Sequence, residues 1–310
     1  MKQIRIRVIL SLVVMVLSAG LVKAQQDSLS HWTLGGNSSF TFNQISLKNW
    51  AAGGKNSLSG TFLTKVTANY KSDKATWDNV LDLGYGLMKY DGEDYQKSED
   101  KVLLSSVYGY DAAKQKLFYS ASFDFKTQFA NGYKYLGNNE REYVSKGFAP
   151  AYINFSLGML YKPADWFSFF LSPVTAHMTI VTDTLLSKSY GLDQGDKLRC
   201  EYGASAKLNI NKKNIVKNVD YFLRADFFSN LADHPEHIDV DMETGFNLNV
   251  NDWLTAILKF NILFDDDIKY KETIETVDAS GDIVKETRLR GARVQVKELF
   301  GFGLQFKWGK

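Results

Sequence analysis

Over most of its 310 residues the chain alternates apolar and polar positions with a period of two. Leu117, Tyr119, Ala121, Phe123, Phe125 and Phe129 take one face of a run in which Ser120, Ser122, Asp124, Lys126 and Gln128 take the other. Ile153, Phe155, Leu157 and Met159 oppose Asn154, Ser156 and Gly158, and Leu198, Cys200, Tyr202, Ala204, Ala206, Leu208 and Ile210 oppose Arg199, Glu201, Ser205, Lys207 and Asn209. Successive Cβ atoms of extended chain point to opposite sides, so each run reads as a strand with one apolar and one polar face. Strands of soluble sandwiches are usually about five or six residues long. These runs hold the pattern for about ten or more, the length a tilted strand needs to cross a bilayer.

The pattern predicts twelve strands, near 31–44, 57–71, 75–90, 98–111, 116–130, 150–161, 165–180, 198–211, 215–230, 236–249, 253–269 and 292–308. Short connections at 72–74, 111–115, 162–164, 211–214 and 250–252 take turns with long ones at 45–56, 91–97, 131–149, 181–197, 231–235 and 270–291. An even strand number with alternating short periplasmic turns and long outer loops is the arrangement of an all-β, antiparallel, up-and-down transmembrane barrel. Within 270–291, two β-prone stretches flank Ala279-Ser280-Gly281-Asp282, which predicts a small hairpin extending the barrel wall. Pro173 interrupts one strand, and a proline there removes a ladder hydrogen bond and marks a bulge or a break.

The N-terminus decides the compartment. Lys2, Arg5 and Arg7 precede an apolar stretch from Val8 to Leu17, and Val22-Lys23-Ala24 ends on a small residue. This is the layout of a secretory signal peptide, with cleavage expected after Ala24 and a single barrel domain over 25–310. The expected location is the outer membrane of a Gram-negative bacterium. The leader holds four of the 37 basic residues and none of the 35 acidic ones, so the balance falls from +2 to −2 in the mature chain. Such a chain gives no basis for nucleic-acid binding. Cys200 has no second cysteine to pair with and falls on the apolar face of its strand.

Tryptophan positions carry topological information. Trp32, Trp77, Trp166 and Trp253 begin strands that leave the short-turn side, and Trp308 ends the strand that returns there. Amphipathic rings settle at the lipid–water boundary, so these five predict a periplasmic aromatic girdle. The last strand, with Phe300, Phe302, Leu304, Phe306 and Trp308 alternating, resembles the terminal signal read by the barrel-assembly machinery, although Gly309 and Lys310 follow the final aromatic.

The sixth tryptophan lies in the first long loop, within Asn43-Gln44-Ile45-Ser46-Leu47-Lys48-Asn49-Trp50-Ala51-Ala52-Gly53-Gly54. This stretch resembles the marker of an uncharacterised family of outer-membrane barrels found in Bacteroidetes. Asn43, Gln44, Ser46, Asn49, Trp50, Gly53 and Gly54 carry the resemblance, which implies a barrel and supplies no catalytic residue. Gly53-Gly54 permits a tight reversal. Trp50 then either folds inward as a constriction, docks a partner, or caps the strand.

Interior charge bears on function. The registers turn Lys65, Lys101, Lys126, Arg199, Lys207, Arg224, Lys259, Lys297 and Lys307 inward, together with Asp78, Asp82, Asp124, Glu201, Asp220, Asp226, Asp241 and Glu243. Nine cations against eight anions do not make the one-sided ring of a strongly ion-selective filter. They fit either a lumen bridged by ion pairs or a narrow, weakly selective channel.

No catalytic constellation is assigned. His177-Met178-Thr179 is the nearest approach to the His and Ser, two residues apart, of outer-membrane phospholipases, and it has Thr where Ser is required. Asp233-His234-Pro235-Glu236-His237-Ile238-Asp239 crowds two histidines and three carboxylates into an outer loop, a set that could bind a divalent metal or imitate the Asp/His pairs of outer-membrane proteases, but its spacing matches no tight metal signature and suits an ordinary hairpin loop. No metal or cofactor is expected. Asp265-Asp266-Asp267 stands at an outer loop base, where lipopolysaccharide and its bridging cations are the expected neighbours. The leading expectation is a narrow channel or transporter for an unidentified small solute. A filled structural or partner-binding barrel is the alternative, and a rim-located lipid hydrolase or protease comes third.

Overall fold

The structure is a computed structural model that describes residues 31–48, 55–113, 116–137, 140–268, 270–277 and 283–309. The leader and its cleavage point lie outside the described residues. Sixteen strands follow in order: β1 (Trp32–Ile45), β2 (Ser57–Lys71), β3 (Ala75–Tyr90), β4 (Gln96–Ala113), β5 (Leu117–Thr127), β6 (Gly132–Gly137), β7 (Glu140–Ser145), β8 (Ala151–Ala164), β9 (Phe167–Ile180), β10 (Leu198–Val216), β11 (Val219–Asn230), β12 (Ile238–Asn249), β13 (Leu254–Phe264), β14 (Tyr270–Val277), β15 (Ile283–Arg290) and β16 (Gln295–Gly309). A short 3-10 turn, Ser187–Tyr190, sits between β9 and β10.

Twelve of these strands close a barrel in the order β1-β16-β13-β12-β11-β10-β9-β8-β5-β4-β3-β2. Every neighbouring pair is antiparallel, and β1 zips to β16 from Gly35↔Gly309 to Thr41↔Gly303. Closure leaves the barrel sheet without an open edge of unpaired N–H and C=O groups. The remaining four strands form two hairpins, β6–β7 and β14–β15, inserted in the long connections at one mouth.

Alternation sorts the side chains. The outer face carries exposed apolar groups all round, including Phe40, Phe62, Tyr108, Tyr119, Leu157, Leu171, Tyr202 and Phe302. Trp32 packs against Tyr70 and Trp77 with ring centroids 5.4 and 5.5 Å away, and Trp77 meets Tyr108 edge-on. Trp308 lies over Gly36, where an added β-carbon would overlap its ring. Trp166 shares the short-turn end and holds Lys212 Nζ 4.5 Å over its ring. Trp253 borders a polar cavity at that same end. The inner face is largely polar, with one apolar patch of Phe118, Leu160 and Phe170 near the short turns.

Four features differ from expectation. β10 runs on to Val216, so the turn falls at Lys217-Asn218 and not at 211–214. An irregularity between Lys212 and Val216 absorbs the polar run, with Asn214 and Asn218 at φ 51° and 65°, a backbone region asparagine enters more readily than most residues. β13 stops at Phe264 because Asp265 turns the chain, its carboxylate and carbonyl accepting from the N–H groups of Asp267 and Ile268. β8 extends through Lys162 to Ala164. The hairpin β6–β7 emerges from a segment that reads as loop.

Pro173 lies where the β9 register shifts against both β8 and β10. The Ser172 hydroxyl takes over the lost ladder contacts. It lies 2.8 Å from the carbonyl oxygens of Leu157 and Val174 and accepts from the Val174 N–H at 3.3 Å. Gly203 stands opposite this bulge on β10, against the carbonyl of Ser229, with no space for a β-carbon.

Candidate functional site

Closure aims one polar residue in two at the barrel axis. The registers put Lys65 (β2), Asp78 and Asp82 (β3), Asp124 and Lys126 (β5), Arg199, Glu201 and Lys207 (β10), Arg224 and Asp226 (β11), Glu243 (β12) and Lys259 (β13) on the inner face. Glu99 of β4 belongs to the same face and escapes the sequence reading, because it precedes the stretch of clear alternation. So does Lys162, which the residue pattern assigns to a turn.

These charges meet across the lumen. Lys101 Nζ of β4 lies 2.7 Å from Asp82 on the adjacent strand and 2.9 Å from Glu243 on β12. Between β4 and β12 the barrel has five strands on either side, so the Lys101–Glu243 pair spans a diameter. Lys259 stands 3.6 Å from both Glu99 and Glu243, Lys297 reaches Glu99 at 2.8 Å, and the Asn261 amide donates to Glu243 at 3.1 Å. A second cluster joins Lys126 of β5 to Asp241 of β12, with Arg224 bridging Asp241 and Asp226 at 3.1 and 2.7 Å. Lys207 of β10 binds Asp124 of β5 and donates to Ser122 at 2.6 Å. Nearer the short turns, Lys162 of β8 pairs with Asp78 of β3 at 2.6 Å.

Removing these groups from bulk water costs each several kcal/mol, and the cost is offset only where the remaining lone pairs and protons find partners. Here they do: Lys101, Lys259 and Glu243 each contact two or more opposite charges, and Asp124 also accepts from Ser105 and Ser122. The lattice therefore braces opposite walls and occupies the middle of the lumen. Lys65 is the exception, an inward, exposed cation with no ion-pair partner among the described residues.

At the short-turn mouth, a cavity of about 500 Å³ is lined by Asn214, Asp220, Asn249, Trp253, Gln305 and Lys307 among others. Asp220 is tied down by the Asn214 N–H at 2.9 Å and the Asn249 amide at 3.0 Å, with Lys307 at 3.6 Å.

The long-loop mouth is partly covered. Ala149, Val181, Leu186 and Leu192 form a buried cluster with Tyr143 and Tyr190 against it. Asp183 accepts from the Tyr143 hydroxyl at 3.1 Å and from Lys146 at 3.0 Å, and the Tyr190 hydroxyl donates to the Val144 carbonyl at 2.9 Å. The Lys146 hydrogen bond holds the Asp183 carboxyl below its ordinary range, while burial together with Asp183 pushes the Tyr143 phenol up to about 12. Under this cap, Arg199 binds Asp267 at 2.6 Å and Glu201 at 3.1 Å, and its guanidinium donates to the Gly191 carbonyl. Burial raises the Asp265 carboxyl above its ordinary range, against the hydrogen bond it accepts from the Asp267 N–H.

His177 takes part in a hydrogen-bonded row. Its Nδ1 lies 2.5 Å from Asn154 Oδ1 and its Nε2 3.3 Å from Thr179 Oγ1. The order of orienter, imidazole and hydroxyl is that of a hydrolase triad. Thr179 has no exposed surface, however, and His177 is stacked on Phe228 at 4.9 Å, so no substrate carbonyl can approach the hydroxyl. The row braces β8 against β9.

In the first loop, Asn43 and Gln44 end β1 opposite Ser59 and Leu58, and Ser46 follows, all three exposed. Asn49, Trp50, Gly53 and Gly54 lie outside the described residues. The described flanks are anchored: the Leu47 N–H donates to Asn56 Oδ1 at 2.6 Å, and Lys55 pairs with Glu93 at 2.6 Å. Cys200 is exposed on the outer face.

A family model described as a protein of unknown function (DUF3078) matches residues 42–133, the span from the end of β1 into β6. The match fits an uncharacterised family. No curated protein matches the chain. Among solved structures, the translocator domain of the autotransporter NalP from Neisseria meningitidis is similar, at 9% identity over 96% of this chain and 95% of that one, with a TM-score of 0.36.

Proposed function

We propose that the chain is an outer-membrane barrel of a Gram-negative envelope whose interior is filled, and that it serves as a rigid scaffold presenting its capped outer mouth to a partner. The diametric pair Lys101–Glu243, reinforced by Asp82, Glu99, Lys259 and Lys297, carries this reading. A conduit must leave a path along its axis, and here the axis is occupied by side chains that neutralise one another. The sequence places the channel first; the crossing of these pairs supports the filled barrel instead.

The lipid partner follows from the outer face. A closed sheet satisfies its own backbone, as hydrocarbon demands. Its exposed Phe, Leu and Tyr side chains each gain about 1.5–3 kcal/mol on leaving water. The Trp32–Trp77–Tyr108 belt suits the periplasmic boundary, and the terminal strand through Trp308 is the segment offered to the barrel-assembly machinery. Lipopolysaccharide is the neighbour of the outer loops.

Conductance of the refolded chain in a planar bilayer tests the reading. The wild type is expected to show no stable steps, and a lattice-breaking variant (E99Q/K101M/E243Q) is expected to open steps. Stable steps from the wild type would replace the scaffold by a small-solute conduit, the second reading, which Lys65 favours as an exposed inward cation with no ion-pair partner among the described residues.

A further inference from the structure

The loop between β11 and β12 holds two of the four histidines of the chain. A turn closed by the His237 N–H donating to the His234 carbonyl at 2.9 Å brings both to one side, and the Ser229 hydroxyl pins the loop by donating to the Pro235 carbonyl at 2.7 Å. The two imidazoles stack with centroids 5.1 Å apart and planes 17° from parallel. One ligand atom from each of His234, Glu236 and His237 lies within 4.8 Å of the others, and all three residues are exposed.

The decisive addition comes from a different connection. Asp266, in the turn after β13, places Oδ2 3.1 Å from His237 Nδ1. A carboxylate on Nδ1 fixes the ring's proton there and leaves the Nε2 lone pair free, the outer-shell arrangement that orients metal-binding histidines. The Asp266 N–H in turn donates to Asp239 Oδ1 at 3.2 Å, which ties the two connections together at their bases. Glu236 lies 3.3 Å from His234 Nδ1, so the carboxylate already sits beside the second ring.

We propose that His234, Glu236 and His237 bind a first-row divalent cation of the Zn²⁺ or Cu²⁺ type at the long-loop mouth of the barrel, with Asp266 as the positioning residue for His237. Two imidazoles and one carboxylate suit these ions, whereas Ca²⁺ and Mg²⁺ take oxygen ligands. Tetrahedral bonds of about 2.0–2.2 Å bring donors to about 3.4 Å from one another, so from within 4.8 Å they must draw together by at most roughly 1.5 Å, within reach of side-chain rotation on an exposed loop. The sequence spacing conceals the site because its supporting carboxylate lies beyond the whole of β12 and β13. The site is independent of whether the lumen is open.

Titration of the tag-free, full-length mature chain, folded in detergent, with Zn²⁺ and separately Cu²⁺ tests the proposal. One saturating equivalent is expected, with the imidazole ¹⁵N signals of His234 and His237 shifting under Zn²⁺ and broadening selectively under paramagnetic Cu²⁺, while that of His177 is unaffected by Zn²⁺. The double variant H234A/H237A is expected to abolish binding, and D266N to weaken it about 10- to 100-fold with the heat-modifiable mobility of the barrel unchanged. Full binding by H234A/H237A, no saturable binding by the wild type, or equal affinity for Ca²⁺ would overturn it.

Discussion

Lys101 on β4 and Glu243 on β12, 142 positions apart along the chain, meet at 2.9 Å across the full width of the barrel. Both side chains are largely enclosed, with 12% of each exposed. Loss of one partner strands the other's charge, at a cost of about 3–5 kcal/mol. K101M and E243Q are each expected to lower the urea midpoint of the folded barrel, and K101M/E243Q to cost less than the two singles together. A double-mutant cycle checks this, and strict additivity would deny the pair any coupling.

Gly36 owes its place to Trp308. The ring occupies the space a β-carbon would fill, on the pair that locks the first strand to the last. Overpacking of this kind costs about 1–3 kcal/mol. G36V is expected to shift Trp308 emission and lower the unfolding midpoint, whereas G36V/W308A should recover stability lost by G36V.

The cap is expected to loosen in acid. The carboxyl of Asp183 is depressed, first by the Lys146 hydrogen bond, so its contribution is present above the ordinary carboxylate range and is lost as the pH falls through the lowered value. Limited proteolysis at stepwise lower pH, with an acid-stable protease, should show cleavage within 131–149 rising below about pH 4. D183N should be cleaved readily at neutral pH and respond little to acid.

Ser172 compensates for Pro173. S172A removes the hydroxyl beside the Leu157 and Val174 carbonyls and leaves the Val174 N–H without its partner, a loss of about 1–3 kcal/mol. In S172A/P173A the ladder can re-form with the restored N–H. The double variant should therefore be more stable than S172A in urea unfolding.

The strand runs and the inward register were legible because period-two alternation is a local property: each residue of β5 or β10 declares its face through its immediate neighbours. The partners of those inward charges were not. Nothing near Lys101 in the chain points to Glu243, since their approach depends on ring closure and on the lumen's width. Lys162 and the 211–214 run looked like turn residues because polarity marks turns and strand faces alike, and only pairing to Asp78 or across to β11 separates the two. The β6–β7 hairpin was hidden for a related reason, its short strands lying in a polar loop. His234 and His237 were visible as a cluster, but Asp266 gained its meaning only when two connections were brought side by side.

Cross-wall pairing also bears on the order of assembly. A sheet built only through β8 holds Lys101, Asp124 and Lys126, with Glu243, Lys207 and Asp241 still on strands that have not come round. Until β1 meets β16 the diametric Lys101–Glu243 pair lacks the geometry that closure provides, and its charges keep their hydration. Zipping the last pair of strands and neutralising the interior thus become one event. The lattice discriminates between closures: a strand missing or slipped by one residue would carry inward charges away from their partners and leave them unmatched.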